Sequence, residues 1–266
     1  MATERNAGLT QVSDTGPSSR RNQIVERLNL KGIVRVAELS ELFDISEVTV
    51  RNDLAELEKE GVLERVHGGA IPSFRSYYNM NFYERKDSRL EEKKRIAAAV
   101  SQMIHDGDTV MMNSGTTTHF VACELKNHKN LSILTNSISI AMEIGGLQEI
   151  DVILFGGCID VKYSFLYGDD TLNQLRKYRA EKLILSIDGI DSSCISTRHF
   201  LETELNKTMI SHVNNVIVVA DYSKIGRREF SYISDISSVR SLVTNKQAHP
   251  DEIDKLRAKG IDVLLV

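Results

Sequence analysis

The chain has 266 residues, and its 33 basic and 37 acidic side chains leave a net charge of −4, so overall charge gives no drive towards a polyanion. Hydrophobic residues at 41%, charged residues at 26% and only three prolines exclude a collagen-like, mucin-like or largely disordered chain and leave room for two globular domains. No apolar run approaches the roughly 18 residues of a membrane span, and the polar start around Glu4 and Arg5 lacks a signal-peptide core, so a cytoplasmic protein without membrane contact is expected. Cys123, Cys158 and Cys194 form no C-x-x-C pair and the seven histidines have no H-x-x-x-H or H-x-E spacing, which predicts reduced thiols, no metal and no cofactor.

In chain order, residues 1–18 are rich in Ser, Thr, Gly and Asn and read as a disordered tail. From residue 19 to 72 three short helices follow. Ile24, Val25 and Leu28 share one face of the first, and Val36, Leu39, Leu42 and Phe43 mark the second before a break at Asp44 and Ile45. Ser46 caps the third, in which Val50, Leu54 and Leu57 form a narrow apolar stripe, and Gly61 stops it. Residues 62–69 alternate loosely and end in two glycines, as a two-stranded wing would. Residues 73–90 lack clear periodicity and read as a locally packed linker. A charged helix over 91–103 follows. From Asp108 onward, seven short runs rich in Val, Ile and Leu (109–112, 131–134, 152–155, 183–187, 216–220, 241–244 and 263–266) alternate with helical patterns, which predicts a mostly parallel α/β domain over 91–266.

Three helices and a wing make a winged helix-turn-helix, whose third helix fits the major groove of B-DNA. Opposite its apolar stripe stand Val48, Asn52, Ala55 and Lys59, flanked by Thr49 and Arg51. Asn pairs at two points with adenine, Val meets a thymine methyl, and Arg takes guanine or a phosphate. With Ser46 at the helix start and Arg20, Arg21, Arg65 and His67 beside it, these are the candidate DNA contacts. Charge argues the other way: residues 1–72 hold nine Lys and Arg against twelve Asp and Glu, a net of −3 where a DNA-binding domain is usually basic. A protein-docking module is the alternative from pattern alone. The strings 34–40 and 45–54, continuing through Leu57 and Gly61 to residues 67–70, closely resemble the N-terminal domain of the DeoR family of bacterial sugar-responsive repressors. Family members most often carry two arginines before the Asp-Leu pair; here the second is Asn52, as in the similar regulators of N-acetylgalactosamine and galactosamine use.

The second constellation is Asn113-Ser114-Gly115-Thr116-Thr117-Thr118, where a strand gives way to a helix. A glycine lets backbone approach closely, and N–H groups at a helix start favour an anion. Other strands end in Asn136, Gly156-Gly157, Asp188-Gly189-Ile190-Asp191 and Asp221 to Lys224, and ligands of open α/β sheets bind at the carboxyl ends of strands. The order of these segments resembles the DeoR effector domain, similar in fold to sugar-phosphate isomerases. That resemblance implies that the Ser114–Thr117 turn and Lys224 hold a phosphate while Asn136, Asp188, Asp191 and Glu202 face a sugar, with Asn113, Gly157 and Gly189 completing the set. It also implies double-stranded operator DNA as partner and a phosphorylated sugar as effector, and because a single winged helix buries little DNA surface and two-fold operators match two-fold proteins, a homodimer or homotetramer is expected. The chain departs from the family at Asn113, usually Asp, and at Asn206, often Lys. The rival function is an isomerase with Glu202 as base. The lysine and glycine that follow the acidic motif in such enzymes are missing from Ser192 to Leu201, which predicts no catalysis.

Overall fold

A computed structural model describes residues 17–73 and 80–266, so the expected tail falls almost wholly outside the described residues. The chain divides into two compact units, residues 1–80 and 81–266. Among the described helices none is long and apolar enough to cross a membrane.

The first unit contains α1 (Pro17–Lys31), β1 (Val34–Arg35), α2 (Val36–Phe43), α3 (Glu47–Lys59), β2 (Leu63–Val66) and β3 (Gly69–Pro72). Its core is small and closed: Ile24 and Leu28 of α1, Leu39 of α2, and Val50, Leu54 and Leu57 of α3 are all buried together with Leu63 and Ala70. Leu42, expected on the inner face of α2, is exposed instead. Asp44 ends α2 in the left-handed region at φ 51°, where its amide returns to the last-turn carbonyls of Glu41 and Ser40. The Ser46 side chain then accepts the Thr49 N–H and starts α3. β2 and β3 pair antiparallel from Leu63↔Pro72 to Val66↔Gly69, and β1 pairs with the other edge of β3. Close approach explains Gly69, because a β-carbon there would lie 2.1 Å from the Val34 carbonyl oxygen.

The second unit opens with α4 (Phe82–Asp87) and α5 (Leu90–Ser101). α4 lies inside the segment expected to be a linker. Asn81 and Glu84 close a capping box at its start, and its Phe82 and Arg85 are buried, which is why a short, irregularly patterned stretch holds a helix. Then come β4 (Thr109–Met112), α6 (Thr116–Glu124), β5 (Leu131–Thr135), α7 (Ile138–Ile144), β6 (Ile150–Leu154), the hairpin β7 (Cys158–Asp160) and β8 (Phe165–Tyr167), and α8 (Asp169–Leu175). β9 (Ala180–Ser186), β10 (Gly189–Ile190), β11 (Cys194–Thr197), α9 (Phe200–Ser211), β12 (Val213–Val219), β13 (Ser231–Asp235), β14 (Ser241–Thr244), α10 (Pro250–Ala258) and β15 (Asp262–Leu265) complete the chain.

Seven strands form one sheet in the order β15-β14-β12-β9-β4-β5-β6, and every pairing is parallel. The central strands are buried and apolar over 110–112, 183–185 and 216–219, while the edge strands carry exposed residues such as Asp151 of β6 and Asp262 of β15. Val110 and Met112 point into the layer with Ile96, Val121 and Ile140 of α5, α6 and α7, while Met111 between them joins Leu205, Met209 and Leu256 of α9 and α10. Chain order runs outward from β4 through β5 to β6 on one side and from β9 through β12 to β15 on the other. The reversal lies between β4 and β9, which is the place where open α/β sheets leave a crevice for a ligand. A small antiparallel sheet, β10-β11-β13, follows directly from the end of β9.

Candidate functional site

The β4 and β9 ends are sutured by Asn113. Its Nδ2 donates to the Ser186 carbonyl at 2.9 Å and to Asn206 Oδ1 at 3.2 Å, and its Oδ1 accepts the Ser186 N–H at 2.8 Å. All of its side-chain hydrogen-bonding groups are thus engaged within the protein, so Asn113 and Asn206, both departures from the family pattern, work as one internal pair. Gly115 is extended at φ 171°, so backbone strain does not demand glycine there. Space does, because a β-carbon would stand 2.5 Å from Ser186 Cβ and 2.6 Å from its Oγ. Thr118 Oγ1 bonds both the Asn113 and Gly115 carbonyls at 2.9 Å, which locks the turn and leaves Thr116 and Thr117 on the first turn of α6.

Around this turn the structure gathers the acidic and cationic groups. Asn136 accepts the Ser114 N–H at 3.1 Å and donates to the Leu166 carbonyl at 3.1 Å, an orientation fixed by both ends of its amide. Glu202, in the first turn of α9, is only 6% exposed and its Oε1 has no hydrogen-bond partner. Burial first, and the charge of Asp188 second, push its carboxyl up to about 8, so at neutral pH it holds a proton. Asp188 is the opposite case. Burial works to raise it, but Lys224 and then Arg85 overcome burial and hold it at about 2. Asp188 Oδ2 also accepts from Thr197 Oγ1 at 3.0 Å and the Arg198 N–H at 3.1 Å. Lys224 Nζ stands 3.6 Å from Asp188 Oδ1, and the lysine is placed by a short 3-10 turn that Asp221 caps.

The remaining predicted residues have other duties. Asp191 accepts from the Ser193 N–H, the Ser193 hydroxyl and the Cys194 N–H, and pairs with Arg228, so it shapes the β10–β11 turn. Gly157 fits under Thr171, whose Oγ1 would be 2.1 Å from an added β-carbon. Gly189 passes the Arg227 carbonyl oxygen, which would be 2.7 Å from one. Sequence reasoning missed Arg85, Tyr163 and His199. The Arg85 guanidinium lies over the Tyr163 ring at 4.7 Å and 3.4 Å from His199 Nε2, and the Tyr163 and His199 rings are 4.0 Å apart. Burial lowers His199 to about 4, so it is neutral. The one local clue was the Asn81–Glu84 capping box, which marks a helix where a linker is expected. With its cations, one anionic and one neutral carboxyl and a helix start, the crevice is equipped to take up a polar, anionic small molecule.

In the first unit, Val48 is 63% exposed and Asn52 and Arg51 are exposed beside it, so α3 presents an unobstructed outer face. Arg51 pairs with Glu47 at 2.5 Å and Arg65 with Glu58 at 2.8 Å, both exposed pairs of low intrinsic strength that can be exchanged for a phosphate. A cleft of about 440 Å³ between α3 and the wing is lined by Arg51, Arg65 and His67. Ser46 is engaged as the cap of α3. Arg20 differs from the expected phosphate clamp: it grips Asp53 through Nε at 2.6 Å and Nη2 at 3.2 Å and ties α1 to α3, with Arg21 reaching Asp53 and Glu60 alongside.

Comparisons with known proteins agree with this division. Residues 20–73 match the DeoR-like helix-turn-helix domain and residues 88–246 the DeoR C-terminal sensor domain. The chain is 35% identical to the glycerol-3-phosphate regulon repressor of Escherichia coli K12, covering 86% of this chain and 90% of that one. It is 32% identical to the lactose phosphotransferase system repressor of Streptococcus mutans, covering 89% and 95%. A relative from Escherichia coli O157:H7 named for repression of the aga operon is 32% identical over 95% of each chain. Among solved structures, ribose 5-phosphate isomerase from Plasmodium falciparum aligns over 52% of each chain with 17% identity and a TM-score of 0.37. Two matched domains in the family's order, and repressors of about a third identity along nearly the whole length, show that the chain belongs to the DeoR family of DNA-binding transcriptional repressors.

Proposed function

We propose that the chain represses a carbohydrate-use operon by laying α3 in the major groove of double-stranded operator DNA, with the β2–β3 wing beside it, and that a phosphorylated sugar entering the β4/β9 crevice relieves the repression. The observation that carries the effector half is the convergence of Lys224, Arg85, the α6 start and the protonated Glu202 at the strand-order reversal. A phosphate brings two charges that the cations and helix start can meet. The neutral Glu202 and the ionised Asp188 offer a donor and an acceptor for sugar hydroxyls. A relative named for a glycerol-3-phosphate regulon and another for a lactose phosphotransferase system support a small phosphorylated effector.

The repressor works as a homo-oligomer in this reading, because one winged helix buries little DNA and two-fold operators match two-fold proteins. Phe200 on α9, and Phe230 and Tyr232 at β13, are exposed on neighbouring elements and supply apolar surface for a second copy. The protein is not an enzyme in this reading. Repressors dominate its relatives, and the acidic pair lacks the following lysine of the isomerases. The test is thermal shift of the full chain against hexose, pentose and amino-sugar phosphates and their unphosphorylated parents. Stabilisation by at least one phosphate and not by its parent supports the proposal; equal response to both removes it.

A further inference from the structure

Away from the crevice residues, three ligand-type side chains meet on α6 and α7. His119 and Cys123 stand at i and i+4, one turn apart on the same face of α6, and Glu143 comes across from α7. His119 Nε2 is 3.8 Å from Cys123 Sγ and 3.9 Å from Glu143 Oε2, and the three donor atoms all lie within 4.8 Å of one another. Tetrahedral zinc sites, with bonds of roughly 2.0 to 2.3 Å, hold neighbouring donors about 3.3 to 3.8 Å apart, so the widest gap in the set must close by about 1 Å around an ion.

His119 is 3% exposed and its Nδ1 has no hydrogen-bond partner, a buried polar atom left over in the cluster. Lys126 holds Glu143 Oε1 at 2.5 Å and leaves Oε2 turned towards the histidine, while Lys86 also faces the cluster. Both Cys123 and Glu143 are partly open to solvent, which gives an ion its way in.

We propose that His119, Cys123 and Glu143 bind a divalent first-row transition metal, for which Zn²⁺ is the best match, with water as fourth ligand. The nitrogen, thiolate and carboxylate set suits zinc better than the hard cations Mg²⁺ or Ca²⁺. On binding, the Cys123 S–H bond breaks, the sulfur donates its pair to the metal and the proton leaves to solvent; no electron is transferred. Thiolate and carboxylate together neutralise the dication. The site clamps α6 to α7, and it reaches the Gly115 turn through the His119 N–H, which donates to the Gly115 carbonyl at 3.0 Å. Spacing within one helix could not reveal it, because the third ligand arrives from the next helix.

The test uses the full chain, stripped by a chelator under reducing conditions and titrated with Co²⁺ alone, followed by Zn²⁺. One Co²⁺ per chain should give thiolate-to-metal charge-transfer absorption and the visible bands of tetrahedral cobalt, and Zn²⁺ should displace it. Cys123→Ser should abolish the charge-transfer band, Glu143→Gln should weaken Co²⁺ binding by at least about tenfold, and Cys158→Ser should change nothing. Should Cys123→Ser fail to fold by circular dichroism, the half-exposed Glu143→Gln decides. Absence of a thiolate band in the wild type, its loss in Cys158→Ser instead, or wild-type affinity in Glu143→Gln each overturns the proposal.

Discussion

Glu202 and Asp188 are two buried carboxyls whose surroundings drive them in opposite directions, to about 8 and about 2. The consequence for stability has opposite signs. The folded chain keeps the Glu202 proton up to about pH 8 while the unfolded chain loses it near the ordinary 4.5, so this contribution is complete below about 4.5 and is lost as pH rises through about 8. Asp188 contributes above its ordinary 3.8, and its contribution is lost as pH falls through about 2. Glu202→Gln therefore should flatten the decline of melting temperature between pH 5 and 8 and leave the acid limb as it is; a parallel decline in the variant would mean that Glu202 does not hold the proton. Lys224→Met keeps the stem and removes the charge, so phosphate-effector affinity should fall by about 1.5 to 3 kcal/mol, roughly one to two powers of ten by calorimetry. Unchanged affinity would locate the phosphate elsewhere. Such residue-level roles were only partly legible. Asp188 and Lys224 stand at turns that the pattern of strand ends announces, whereas Glu202, in the first turn of α9, came from the family resemblance alone. Asn113 sits in the same turn but spends its amide on Ser186 and Asn206, partners 73 and 93 residues away that no local pattern reveals.

At the scale of elements, the reading helix depends on its support. Asn52 is exposed on α3 and its neighbour Asp53 is buried against Arg20 of α1, so the two adjacent residues should separate under mutation. Asn52→Ala should cost about 1 to 3 kcal/mol of specific DNA binding and spare non-specific binding and melting temperature. Arg20→Met breaks a two-point charged contact and should lower the stability of the first unit by about 1 to 2 kcal/mol, with DNA affinity falling on specific and random DNA alike. Anisotropy titrations and thermal melts of the two variants distinguish the roles; equal losses on both DNAs for Asn52→Ala would remove it from the base-reading face. The parallel strands were legible because the central ones are buried and carry unbroken apolar runs, which compresses the signal into short stretches. α4 was not, since six residues with a tyrosine and four charged side chains carry too little periodicity to separate a helix from a loop. Its identity rests on a capping box and on the burial of Phe82 and Arg85, both tertiary facts.

Over the whole molecule, the functional division follows from two kinds of surface. The first unit is net acidic over residues 1–72, yet the exposed ion pairs Arg51–Glu47 and Arg65–Glu58 let arginines turn to phosphates at little cost, which makes the sum of charges a poor guide to what the α3 face can bind. The second unit concentrates buried charge at the β4/β9 reversal. An effector can act only by favouring one state of the protein over another, so under the proposed function DNA affinity depends on what occupies the crevice. The most direct measurement is therefore of release. DNA selected by the full chain from a random-sequence pool is bound at fixed salt, and anisotropy is followed as sugar phosphates and their unphosphorylated parents are added to wild type and to Lys224→Met. At least one phosphorylated sugar should release the wild type and its parent should not, and Lys224→Met should bind the same DNA but need about ten to a hundred times more effector for release. Release by the parent sugar at the same concentration, or release of Lys224→Met at wild-type concentrations, would contradict the proposed function.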